Sequence, residues 1–167
     1  MPAVEFKPAD HPADPLECVE MLAARRGWPM ARTGEDEAQL SISAEGFDMQ
    51  LSLHWRDDTE SLHLACMFDF RVPARRADEV ARLTRMINEQ LIMGHFDFWQ
   101  NEGLILYRNA LLLSGGATAS DAQCDALIAH AVETCARHYP AFQFVLWAGK
   151  GAEEALAACL FETAGEA

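Results

Sequence analysis

The sequence has no long apolar run and little positive charge. A membrane-spanning helix needs about 20 consecutive apolar residues, and no stretch of the 167 residues approaches that length. Lys and Arg number 13 against 26 Asp and Glu, which gives a formal net charge of −13. Because nucleic-acid backbones and anionic lipid surfaces both attract basic residues, the composition argues against nucleic acid and against membrane as partners.

The sequence also lacks close cysteine pairs and a signal peptide. Five cysteines are widely spaced in apolar surroundings, a pattern typical of reduced core thiols in a cytoplasmic protein. Residues 1–13 contain three prolines and two acidic residues but no apolar run. We therefore expect residues 1–13 to form a disordered leader and residues 14–167 to form a single cytoplasmic domain.

Regular apolar spacing predicts the first half of this domain. Asp14 and Pro15 have the character of an N-cap and a first helical residue, and Gly27 is a suitable stop. Alternating apolar and polar residues then predict three antiparallel strands, within residues 38–43, 47–55 and 62–70. Each strand has one apolar face for a core and one mostly polar face.

The second half alternates between helix and strand signals. A long helix is predicted from Pro73 to about Gly94, and a hairpin of residues 95–100 and 104–113 follows it. Ser120 with Gln123 predicts a capped helix to about residue 138, which Pro140 would interrupt. Residues 141–148 are assigned to a helix, although their aromatic residues would suit a strand nearly as well. A last helix is expected at residues 152–160.

The predicted order is typical of an α+β fold: an antiparallel sheet of about five strands backed by helices. Residues 104–113 are apolar on both faces for much of their length. They are therefore expected to form a central strand, either covered on both sides or buried in a subunit contact.

Several segments together resemble the YbjN family of bacterial proteins, which are labelled sensory-transduction regulators. These segments are LTRMINEQLIMGHFD at 83–97, YPAFQF at 139–144, WAGK at 147–150 and FETAGEA at 161–167. The resemblance implies a fold similar to the type III secretion chaperones, commonly seen as a homodimer. It implies no catalytic residues, so the chain is expected not to be an enzyme.

Two arrangements of residues could have carried chemistry. Cys135 and His138 lie three residues apart on a predicted helix, with Cys124 on a similar face, but a structural zinc site usually needs close cysteine pairs. Cys66 is predicted on the buried face of its strand, whereas His54 and His63 point away from it. The sequence therefore predicts no metal, no cofactor and no cysteine nucleophile.

The remaining candidates are binding residues. If Trp55 pairs with Glu60, His63 faces Ser52 and lies diagonal to His54 on the polar side of the sheet. Three aromatic residues are candidates for partner contact, because aromatics are enriched at interface centres: Trp99, Phe144 and Trp147.

These features predict a non-enzymatic protein-binding or chaperone-like regulatory module that acts as a homodimer on an unidentified protein partner. The alternative is a small-molecule sensor with a pocket between the sheet and the helices.

Overall fold

A computed structural model describes residues 13–44 and 46–165, so the predicted leader lies outside the described residues except for Ala13. These residues form six strands, four α-helices and a short 3₁₀ turn at Ala74–Arg76. In chain order the elements are α1 (Pro15–Arg26), β1 (Met30–Arg32), β2 (Glu37–Ala44), β3 (Phe47–Arg56), β4 (Ser61–Met67), α2 (Ala77–Asn88), β5 (His95–Trp99), β6 (Leu104–Leu112), α3 (Asp121–Leu146) and α4 (Ala152–Gly165).

The strands form one antiparallel sheet in the order β1-β2-β3-β4-β6-β5. This confirms the predicted α+β fold with an antiparallel sheet backed by helices, and it places β6 inside the sheet. The sixth strand is β1, which pairs Met30 with Leu40. Three residues are too few to show a period of two, so the sequence pattern did not reveal β1.

The core lies between one face of the sheet and the helices. Strand residues such as Leu40, Leu51, Leu64 and Tyr107 are fully buried there. Helix α1 contacts β2 and β3, α3 contacts β4 and β6, and α2 contacts β5. Each fully buried Leu contributes about 1.5–3 kcal/mol relative to an exposed one, so packing of the sheet against the helices is a large favourable contribution to the stability of the fold.

Two helix predictions are corrected by the structure. Helix α2 ends at Asn88, not at Gly94, because the Asn88 side chain bonds to the backbone of β5. Ile92, which falls within the predicted helix, lies beyond α2 and is fully exposed.

Pro140 does not interrupt α3, which continues to Leu146 and so includes most of the segment assigned to helix. Buried Phe142 and Val145 hold this last part against the core.

The predicted register of β3 with β4 was wrong. Trp55 pairs with Leu62 instead of Glu60, and His54 therefore faces His63 directly. The connecting turn comprises residues 57–60, one residue further along the chain than expected, and it includes Glu60, which adopts a positive φ of 44° and is buried. The indole N–H of Trp55 also donates to Asp57 Oδ1 at 2.5 Å, which fixes the start of this turn.

Candidate functional site on the open face of the sheet

Among residues 13–44 and 46–165, no helix packs on the second face of the sheet, and we call this face the open face. Most of its side chains are exposed or half-buried, whereas Ser61 and Leu106 are buried. The register assigns the following residues to it: Glu37, Gln39, Ser41 and Ser43 of β2; Asp48, Gln50, Ser52, His54 and Arg56 of β3; Ser61, His63, Ala65 and Met67 of β4; Leu104, Leu106, Arg108, Ala110 and Leu112 of β6; and His95, Asp97 and Trp99 of β5.

One end of the open face is apolar. Met67 pairs with Leu106 across β4 and β6, and Trp99 pairs with Leu104 across β5 and β6. Leu104 and Leu106 are two residues apart on β6, so their side chains lie next to each other on the same face and connect the two pairs. We call these four side chains the apolar patch. Met67 is 51% exposed and Trp99 is 46% exposed. Apolar surface of this kind on a soluble domain is typical of an interaction site.

A pair of histidines lies on the same face, away from the apolar patch. His54 on β3 faces His63 on β4, and Glu37 on β2 faces His54, with 3.9 Å between His54 Nε2 and Glu37 Oε1. His63 Nε2 lies 3.0 Å from the hydroxyl of Ser61. The pKa of His63 is lowered, first by its partial burial and then by the charges of Arg56, Arg108 and His54.

Between the histidines and the apolar patch, the sheet surface is depressed. Gln39, Ser52, Ala65 and Arg108 lie opposite one another in one row across β2, β3, β4 and β6. The short side chains of Ser52 and Ala65 form the floor of a cavity of about 390 Å³, which we call the trough. His54, His63 and Arg56 line one wall of it.

The other two predicted binding residues lie in the helical layer. Phe144 is half-buried on α3, where Lys150 Nζ sits 6.0 Å from its ring. Trp147 follows the last turn of α3, is 63% exposed and contacts Phe70 edge to face at 5.5 Å. The structure therefore brings Trp99, His54 and His63 onto one surface and leaves Phe144 and Trp147 on another.

The cysteines and His138 belong to the core. Cys135 hydrogen-bonds to Cys66, and this contact together with burial raises the pKa of the Cys135 thiol. His138 is buried, and its Nδ1 lies 2.9 Å from the carbonyl of Thr134. Within residues 13–44 and 46–165, no group of three or more His, Cys, Asp or Glu side chains is placed to hold a metal ion.

Sequence reasoning did not select Met67, Leu104, Leu106 or Arg108 as site residues. The signal available for two of them was the apolar character of both faces of residues 104–113, which was interpreted as a central strand.

In the described part of the chain, no helix combines the length and apolar character that a membrane span requires.

The fold defines a class: an α+β domain in which the four described helices cover one face of an antiparallel sheet. Residues 15–144 match the model of the YbjN family, described as "Putative bacterial sensory transduction regulator", and the chain belongs to this family. The resemblance found in the sequence is thereby confirmed. No curated protein matches the sequence.

Two solved structures are similar to this chain. The crystal structure of YbjN, "a putative transcription regulator from E. coli", is 12% identical, with a TM-score of 0.51, and the match covers 88% of this chain and 93% of that one. At this identity the likeness concerns the fold alone. The crystal structure of the ExsC–ExsE complex is 17% identical, with a TM-score of 0.42, over 70% of this chain and 84% of that one.

Proposed function

We propose that this chain is a non-enzymatic, cytoplasmic regulatory module that binds a protein partner through the open face, in the manner of a chaperone. The observation that carries the proposal is the apolar patch of Met67, Trp99, Leu104 and Leu106 on a sheet face without helices. Membership of the YbjN family, described as "Putative bacterial sensory transduction regulator", supports a regulatory role.

The energetics of the patch favour a partner. Trp99 keeps nearly half of its surface in water, and burying a large apolar side chain contributes about 1.5–3 kcal/mol. Tryptophan is also the residue type most enriched among the side chains that dominate binding energy. A partner that covers Trp99 and Met67 together would bury two apolar side chains that lie on either side of β6.

The proposal includes a homodimer. Apolar side chains are also exposed away from the open face, notably Trp147, Phe161 and Ile92. Self-association through the helical layer would cover some of them and leave the open face available for the partner. Sedimentation velocity at micromolar concentration is expected to show a dimer, and a monomer throughout that range would refute this part of the proposal.

Affinity capture from the native host with a matched pair of variants tests the partner site. Trp99→Glu places a charge in the apolar patch, whereas Ile92→Glu places the same charge on a fully exposed loop residue. Wild type and I92E should recover the same protein partner, and W99E should lose it. Equal recovery by all three chains would contradict binding through the open face.

A second candidate function is a small-molecule sensor with a site between the sheet and a helix. A groove of about 560 Å³ runs between α2 and the edge strand β5 and is lined by Thr84, Asn88, Phe96 and Phe98 among others. Its volume lies in the range of ligand sites. A thermal-shift screen of metabolites tests this function. A metabolite that binds in the groove should raise the melting temperature of the wild type, and it should raise that of Ala81→Phe, a variant that fills the groove, by less.

A further inference from the structure

We infer that the trough on the open face binds a small molecule that carries carboxylate or phosphate groups. This site is distinct from the proposed partner contact at the apolar patch, and the inference does not depend on that proposal. Three features carry the inference: the shape of the trough, its unused hydrogen-bond donors and the two arginines that line it.

The shape follows from the order of residue sizes across the sheet. Ser52 pairs with Ala65, so the two shortest side chains of the row lie side by side. Arg108 closes one end of the trough beyond Ala65, and Gln39 with Thr33 borders the other end. A cavity of about 390 Å³ with bordered ends suits a compact small molecule better than an extended peptide, which would need to leave at both ends.

The donors that line the trough are largely unused. One guanidinium nitrogen of Arg108, Nη1, donates to Asp97 Oδ2 at 2.9 Å. A guanidinium carries five N–H groups in a planar fork that matches carboxylate and phosphate oxygens, so most of the Arg108 donors remain available. The side chains of Gln39 and Ser52 make no hydrogen bond with another residue that the structure describes. Together these groups could hold two or three oxygen atoms of one ligand.

Two arginines line the trough although the chain carries −13. Each has a carboxylate partner, since Asp58 pairs with Arg56 at 2.8 Å and Asp97 pairs with Arg108 at 2.9 Å, and Glu37 also lines the trough. At the His63 imidazole, Arg56, Arg108 and His54 all lower the pKa after the larger effect of burial, and Asp58 opposes them. An anion bound beside this imidazole would lie next to the two arginines.

Binding should therefore strengthen as the histidines become protonated. The charged groups that face His63 are Arg56, Asp58 and Arg108 together with His54, and Glu37 faces His54. A ligand anion favours the protonated form of both imidazoles. We expect the affinity for the same anion to rise between about pH 7.5 and about pH 6, where histidine gains its charge.

The test titrates the full-length chain with two probes, citrate and inorganic phosphate, at low ionic strength. Calorimetry gives the affinity, and the imidazole carbon-bound protons of His54 and His63 report binding in the trough by NMR. Arg108→Gln should weaken binding by about tenfold or more, because it removes a bidentate charged donor. Ala65→Leu should abolish binding by filling the floor without any change of charge.

Two control variants separate the trough from general effects. Arg85→Gln removes an exposed arginine on α2, and Ser43→Leu adds the same side chain at the far end of the open face. Both should bind the probes as wild type does. The inference is overturned if neither citrate nor phosphate binds the wild type, if R108Q and A65L bind normally, or if R85Q weakens binding as much as R108Q. Trp99→Glu should leave a genuine trough site largely intact, so failure here is distinguishable from failure of the proposed partner site.

Discussion

The side-chain amide of Asn88 takes the place of a neighbouring strand at the edge of the sheet. Its Nδ2 donates to the carbonyl of Phe96, and its Oδ1 accepts from the N–H of Phe96, both at 2.8 Å. Phe96 lies in β5, the edge strand, where unpaired backbone groups are a template for pairing with another chain. One residue at the end of α2 therefore anchors the edge strand and protects it.

Replacing Asn88 by Ala should destabilise the fold and promote self-association. The variant loses two hydrogen bonds and leaves the Phe96 groups without a partner, which we expect to cost about 1–3 kcal/mol. Urea unfolding gives the free energy, and light scattering detects association. Asn101→Ala, in the exposed turn between β5 and β6, is the control and should change neither quantity. If N88A unfolds like N101A, the amide does not hold the edge strand.

A pair of glycines tests how closely β6 packs under the loop before β5. Gly27 and Gly94 have nearly the same left-handed backbone, with φ of 69° and 68°. An added Cβ would meet nothing within 4 Å at Gly27 but would lie 2.1 Å from the hydroxyl of buried Tyr107 at Gly94. Gly27→Ala should cost about 1 kcal/mol from backbone strain alone, and Gly94→Ala about 3 kcal/mol or more.

Thermal and urea unfolding of the two variants supply the comparison. Tyr107→Phe in the G94A background should recover part of the loss, since it removes the atom nearest to the new Cβ. Equal costs for G27A and G94A would show that Tyr107 does not pack against this loop as described.

The sequence predicted the elements better than the contacts between them. Helix α1 and the capping box of Ser120 with Gln123 were predicted correctly because caps and apolar spacing are local properties. The end of α2 was not predicted, because Asn88 ends the helix through a contact with β5 that lies outside any helical pattern. At Pro140 the sequence predicted an interruption that does not occur. The burial of neighbouring residues in α3 stabilises the helix by more than the missing backbone N–H of Pro140 destabilises it.

The candidate site was predicted only in part for a similar reason. His54, His63 and Trp99 stood out as residue types, and the structure places all three on the open face. Their surroundings depend on the register of β3 with β4, and the sequence pattern does not fix which residues form the connecting turn. Glu60, with its positive φ, belongs to this turn, so Trp55 pairs with Leu62 and His54 faces His63 directly. Ala65 and Ser52 could not be recognised from the sequence, because small side chains form the floor of a cavity only where larger side chains surround them in the folded sheet.

His138 should make stability depend on pH. Burial lowers its pKa in the folded chain below the ordinary value of 6.5. The unfolded chain therefore takes up this proton at a higher pH than the folded chain does. The contribution to stability is fully present above that ordinary value and is lost as the pH falls below it. Urea unfolding from about pH 7.5 to about pH 5 should show the decline, and His138→Gln should show a shallower one. Parallel curves would exclude His138 as the cause.

The pKa of His63 should respond to Arg108. In the wild-type chain, NMR titration should place the His63 pKa below the ordinary value, because burial and then Arg56, Arg108 and His54 all act in that direction. Arg108→Gln removes one of these charges and should raise the His63 pKa, whereas Arg85→Gln on α2 should not. An unchanged His63 pKa in R108Q would mean that the two side chains do not share the trough.

The most direct test of the central claim is site-specific photo-crosslinking in the native host. A photoreactive residue is placed in turn at Met67 and Trp99 in the apolar patch, and at Ile92 and Phe161, which are apolar and more exposed but lie elsewhere. The proposal predicts a crosslink to one protein partner from Met67 and Trp99, and none to that partner from Ile92 or Phe161. The same partner captured from Ile92 or Phe161, with nothing from the patch, would contradict binding through the open face.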